Sequence, residues 1–162
     1  MVTIQKKSLK VGKQVDTKHV DNAIRNYKQE RWAQNSERLG KEDSLSVWYS
    51  IEELEEFIAM SKEHGADGLK LYFGAYDKDY ADQPLYAGRQ TVVLVATKHK
   101  ESADGSHSSH NNKDIYVQNE KGSSILAYNA GLICPPFCTR DGGNGGIGIT
   151  IVDRGNDGFT VV

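Results

Sequence analysis

Ser50 to Tyr76 constrains this chain more than any other stretch, because a capped amphipathic helix there ends at a glycine and runs straight into an apolar strand. Ser50 and Glu53 have the spacing of a capping box, in which hydroxyl and carboxylate each take an orphan backbone N–H of the first turn. Ile51, Leu54, Phe57 and Ile58 recur at helical spacing and are expected to form its buried face. Glu52, Glu53, Glu55 and Glu56 suit the positive end of the helix dipole, and Lys62 with His64 the negative end. Gly65 supplies the left-handed C-cap. The run Leu69-Lys70-Leu71-Tyr72-Phe73-Gly74-Ala75-Tyr76 follows as a strand, with Tyr72 and Tyr76 expected to point away from the helix-covered side.

An earlier helix is predicted from Asp16 or Thr17, as cap, to about Asn35, with Val20, Ala23, Ile24 and Tyr27 as its stripe and Trp32 off it. Val2, Ile4, Leu9 and Val11 alternate loosely and suggest edge strands. Leu45-Ser46-Val47-Trp48-Tyr49 reads as a short strand rich in β-formers. Strand, helix, strand in that order is compatible with a right-handed crossover. Later strands are expected near 90–98, 114–118, 124–128, 146–152 and 158–162. Thr91 to Thr97 is nearly continuous in β-formers and should lie centrally, buried on both faces. Helices early and strands late give one α+β domain over residues 1–162, its mostly antiparallel sheet packed on one face by two helices. The connection 101–114 has no aliphatic residue larger than alanine and reads as mobile. Residues 147–162 read as a terminal hairpin turning at Arg154-Gly155-Asn156-Asp157-Gly158.

A net charge of −2 leaves no electrostatic footprint for nucleic acid, and the basic run Lys6-Lys7-Ser8-Leu9-Lys10 is short enough to be a solvated face. No stretch reaches the apolar length of a membrane span or of a secretory signal, so a soluble, cytoplasmic protein is expected. Cys134 and Cys138 flank Pro135-Pro136-Phe137. They can form a short-loop disulfide, bind metal or remain as thiols, and the sequence does not choose among these.

At Val47 to Ile58, then Tyr72 to Tyr76 and Cys134 to Cys138, the chain resembles small bacterial proteins described as hypothetical, to which no activity is assigned. The resemblance spans residues 45–138 and carries no catalytic residue across.

Gly143-Asn144-Gly145-Gly146-Ile147-Gly148 spells GxGxxG, but it precedes a strand instead of opening a helix, so no pyrophosphate would meet a helix N-terminus there. His107, His110, Cys134 and Cys138 are the one set able to offer four soft ligands to zinc; otherwise no cofactor is expected. Between two strands lie Asp77, Asp79, Tyr80, Asp82, Tyr86 and Arg89. Rings beside charged groups can hold a sugar or another polar ligand. The function expected is therefore a non-catalytic ligand-binding or protein-interaction module carried by Tyr72, Tyr76, Tyr80, Tyr86 and Arg89, with Trp32 second. The partner would be an unknown protein or a small polar ligand, and homo-oligomerisation stays open. The alternative is a small hydrolase or transferase in which Asp77, Asp79 or Asp82 meets His99. A zinc-binding domain is a second alternative, and late strands joining a neighbouring chain a third.

Overall fold

The computed structural model describes residues 10–101, 103 and 111–138 in full; beyond these it describes the backbone of strands 139–140, 145–146, 151–153 and 159–161. Asp16 opens the first helix, its carboxylate accepting the His19 N–H at 2.8 Å. Helix α1 (Thr17–Tyr27) continues through a π-helical stretch, Lys28–Trp32, into α2 (Ala33–Leu39). The helix thus passes the predicted end at Asn35 and stops where Gly40 takes φ +69°. The wider π turn brings Trp32 to a position from which its indole N–H donates to the Asp43 carbonyl at 2.7 Å.

Strand β1 (Ser46–Trp48) precedes α3 (Ile51–Glu63), whose capping box forms as expected: Ser50 Oγ accepts the Glu53 N–H at 3.1 Å and Glu53 Oε2 accepts the Ser50 N–H at 2.7 Å. Its buried stripe differs from the one predicted. Phe57 and Ser61 are buried and Leu54 half-buried, whereas Ile51 is 69% and Ile58 37% exposed. Helical spacing shows that a stripe exists; the angle at which the helix meets the sheet decides which three-four row lies beneath it.

Strands β2 (Gly68–Ala75) and β3 (Gln90–His99) pair antiparallel over eight residues, from Gly68 opposite Thr97 to Ala75 opposite Gln90. On the other edge of β3 lie β4 (Asn112–Asp114) and β7 (Ala127–Tyr128), so β3 is central as predicted, and Leu94 to Thr97 are buried in unbroken succession. Between them β5 (Tyr116–Asn119) and β6 (Gly122–Ile125) form a separate hairpin. β1 pairs antiparallel with β8 (Leu132–Cys134), not parallel with β2, so the possible crossover is not realised. The short strands β9 (Thr139–Arg140), β10 (Gly145–Gly146), β11 (Ile151–Asp153) and β12 (Phe159–Val161) close two further antiparallel pairs. The mostly antiparallel α+β class is the one observed. Of the edge strands expected in the first fifteen residues, residues 1–9 lie outside the described residues and residues 10–15 are exposed and form no strand; most of the 101–114 connection and the turn at 154–158 also lie outside the described residues. Among the described residues, no helix is long and apolar enough to cross a membrane.

Both helices address one sheet face. Phe57 packs on Leu94, Ala96 and Leu126, with Leu69 and Tyr128 at the margin, and Tyr27 donates its hydroxyl to Gln90 Oε1 at 2.6 Å. The opposite face is not bare, which corrects the expectation of an open side: Thr91, Val95 and Thr97 are each 3% exposed.

The start of β3 is anchored by a buried carboxylate. Asp43 Oδ1 accepts the Ser44 N–H at 2.8 Å and the Gln90 N–H at 2.7 Å, and Ser36 Oγ accepts the Asp43 N–H at 2.9 Å. Asp43→Ala strands two buried donors, so urea unfolding should show a loss of about 1–3 kcal/mol, whereas substituting exposed Glu42 by alanine should stay within about 0.5 kcal/mol.

Candidate functional site

An apolar cleft opens on the helix-covered face, where α3 stops short of the Ala75 end of β2. Register places Leu71 beside Leu94 and Phe73 beside Val92; buried Leu94 and half-buried Val92 make its floor. Leu54 and Tyr49 form the wall at α3, Tyr27 the wall at α1, and Leu45 to Val47 the third side of a shallow cleft of 380 Å³ that is open to solvent. That volume falls in the range of small-molecule sites. Leu71 and Phe73 stand at its mouth, 60% and 83% exposed.

The polar groups of the cleft are neutral. They are the hydroxyls of Tyr27, Tyr49, Ser44 and Ser46 and the amide of Gln90, with no carboxylate, histidine or lysine among the lining residues; the Thr91 hydroxyl lies on the other face of the strand, donating to the Tyr76 hydroxyl at 3.3 Å. Burial, reinforced by the nearby Asp43 charge, pushes the Tyr27 phenol above its ordinary pKa, and burial does the same for Tyr49. Both therefore stay protonated as donors near neutral pH. Tyr27 spends its proton on Gln90, and Tyr49 points its own at the Val92 carbonyl 3.4 Å away. Such a lining can hold an uncharged, mostly apolar molecule; it has no pair of groups with which to exchange a proton.

The sequence-derived candidates are dispersed. Tyr76 and Tyr86 are buried, their rings 5.2 Å apart, with Tyr80 4.7 Å from Tyr76 and Phe137 5.8 Å from Tyr86. Tyr86 donates to the Gly131 carbonyl at 3.1 Å. Arg89 is buried too, its Nε donating to the Leu85 carbonyl at 2.8 Å and its guanidinium to the Glu42 carbonyl. These three side chains are interior packing and anchoring groups, which corrects their expected display on an open face: Tyr76 follows the end of β2, where the loop folds back over it. Tyr72 is on the surface, 43% exposed, and donates to Asp114 Oδ2 at 3.1 Å. Trp32 is spent on the Asp43 carbonyl, with the Lys28 ammonium 5.2 Å from its ring.

Asp77, Asp79 and Asp82 are exposed at one end of the β2–β3 pair. His99 ends β3 at the other, nine residues beyond Gln90 and so about 30 Å away, where its Nδ1 lies 2.8 Å from Asn112 Oδ1. The strand itself keeps the proposed acid and base apart. Cys134 and Cys138 are joined in a disulfide, so neither is a thiolate ligand, and His107 and His110 lie outside the described residues. Among the described residues no cluster of three or more His, Cys, Asp or Glu side chains has a metal-holding arrangement. Of the GxGxxG run, Gly145–Gly146 pairs with Thr139–Arg140 as a strand, and the remainder lies outside the described residues.

Leu71 and Phe73 were missed as site residues because period-two alternation assigns them to the helix-covered side. Nothing local says how far along the strand the cover extends. No known protein family matches the chain, and neither does any curated protein or solved structure.

Two measurements follow from this geometry. Tyr76→Ala should cost about 3–5 kcal/mol in urea unfolding, the range for emptying a buried aromatic site, and exposed Tyr72→Ala about 0.5 kcal/mol or less. Beside the cleft, the Ser50 backbone N–H and then its side chain hold Glu53 below the usual glutamate range, helped by the Tyr128 hydroxyl 3.1 Å away. A carboxylate depressed in the folded state stabilises above its ordinary pKa, and that contribution is lost as pH falls through the depressed value. The stability gap between wild type and Glu53→Gln should therefore be constant near neutrality and close on acidification through and below the glutamate range; a gap that widened there would contradict the assignment.

Proposed function

We propose that this protein is a non-catalytic binding module whose site is the cleft between Tyr27, Val47, Leu54, Val92 and Leu94, with Phe73 at its mouth, and whose ligand is a small, uncharged, largely apolar molecule. The observation that carries this reading is the contrast within the cleft: an apolar floor beside exposed Leu71 and Phe73, ringed by neutral hydroxyls and one amide. Apolar surface gives affinity, while a few fixed donors and acceptors give orientation. A charged ligand would lose hydration there without meeting an opposite charge. The polar-ligand version of the expectation from sequence is thus replaced by an apolar one.

The closed Cys134–Cys138 bridge favours an oxidising compartment over the cytoplasm for this module, since cytosolic thiols are kept reduced.

Titration with Nile red, a neutral apolar fluorophore, tests the site. Wild type should bind it saturably. Gln90→Glu, nearly isosteric and still able to accept from Tyr27, places a carboxylate on the wall, and Phe73→Asp places one at the mouth; each should weaken binding at least about tenfold, the equivalent of about 1.4 kcal/mol. Equal affinity in all three proteins, with unchanged circular dichroism, would remove the cleft as the site.

A further inference from the structure

We propose that the outer edge of β2 is a self-association surface, on which the same strand of a second copy pairs antiparallel with Leu71 opposite Leu71 on the two-fold axis. This goes beyond the cleft reading and stands first on the backbone of β2, with Leu71 and Phe73 shared between the two. Among the described residues, β2 has a hydrogen-bonded neighbour on one edge only. The Tyr76 N–H donates to the Arg89 carbonyl at 3.0 Å, continuing the β2–β3 register, so alternate residues from Tyr76 back to Gly68 turn their peptide groups toward β3. Leu69, Leu71, Phe73 and Ala75 turn theirs outward. The pattern on β3 agrees: Ala96, opposite Leu69, directs its N–H to Leu126 and accepts from Ile115, away from β2.

Side-chain exposure tells the same story on both faces of the strand. Leu71 and Phe73 on one face and Tyr72 on the other are 60%, 83% and 43% exposed. Among the described residues the usual defences of an edge are missing here. β2 contains no proline, its eight pairs run without a bulge, and its single lysine, Lys70, is drawn across the sheet to Asp114 at 3.2 Å.

The strand also complements itself. A two-fold axis through Leu71 sets Leu69 against Phe73 on the apolar face and Lys70 against Tyr72 on the other, with Gly68 facing Gly74; the outward peptide groups of 69, 71 and 73 then meet as hydrogen-bonded pairs. Centring on Lys70 instead would oppose two ammonium groups. Centring on Tyr72 would leave Lys70 facing glycine and Leu69 facing alanine. Because the axis is normal to the sheet, the dimer carries its two clefts side by side on one face.

Sedimentation velocity from low to high micromolar protein, without ligand, tests this. Wild type should run at twice the 18.0 kDa chain mass, and so should Gln90→Glu, which impairs the cleft but not the edge. Leu71→Lys, which puts two lysines on the axis, should lose the dimer with circular dichroism unchanged. Leu71→Cys should become covalently dimeric with a short bis-maleimide, whose reach of about 8 Å spans the facing thiols of a hydrogen-bonded antiparallel pair with Cα atoms about 5.5 Å apart. Wild type at single-chain mass throughout overturns the proposal and leaves the cleft reading untouched. A dimer that survives Leu71→Lys, or one in which Leu71→Cys fails to cross-link, overturns it equally. Should Leu71→Lys not fold, the cross-link alone decides.

Discussion

The structure depends on β3 having hydrogen-bonded neighbours on both edges and buried side chains on both faces. Its inner stretch, Leu94 to Thr97, gives Phe57 an apolar bed on one side, and Thr91 and Val95 are enclosed on the other. A strand so placed has no solvent to satisfy its peptide groups, so each neighbour must arrive in register. Asp43 sets that register at the start of the strand by accepting the Gln90 N–H, and the Ser44 hydroxyl reaches the Gln90 carbonyl beside it. Through Trp32 and Ser36 the same short segment ties down the long helix.

From this follows an uneven distribution of cover. α3 lies over the Ala96 end of the sheet, and α1 reaches the other end through Tyr27, leaving the gap over Leu71, Phe73, Val92 and Leu94. The loop after β2 turns its rings inward: Tyr76, Tyr80 and Tyr86 pack with Ile133 and Phe137, so the segment richest in binding-type residues is largely consumed by its own packing. Rings there exclude water and hold the chain that carries the disulfide. The exposed apolar side chains of β2 on the helix side of the sheet are instead Leu71 and Phe73.

Much of the architecture was legible because its signals are local. The capping box at Ser50 and Glu53, the carboxylate of Asp16, glycine at 65 and the β-rich run from Thr91 each act within a few residues, and each forms what its chemistry dictates. The strand Leu132–Cys134 was missed since it is three residues long and gains its partner from Ser46–Trp48, far back in the chain. Asp43 carries no signal of its role in the sequence, because nothing in a linear stretch announces that a carboxylate will be buried against a backbone N–H 47 residues away.

The candidate site divides along the same line. Alternation in Leu69 to Tyr76 correctly separates two faces, yet it cannot say which end of a face a helix will cover, and that decides whether Phe73 is core or surface. Likewise Asp77 and His99 are both ordinary sequence candidates until an unbroken ten-residue strand holds them apart. By itself the amino-acid order determined the caps, the periodicities and the α+β class, all consequences of forces that act between near neighbours. Only the tertiary structure decided which rings are buried, where the cleft opens and which strand edge has no neighbour among the described residues, because those outcomes depend on how separate elements share one limited interior.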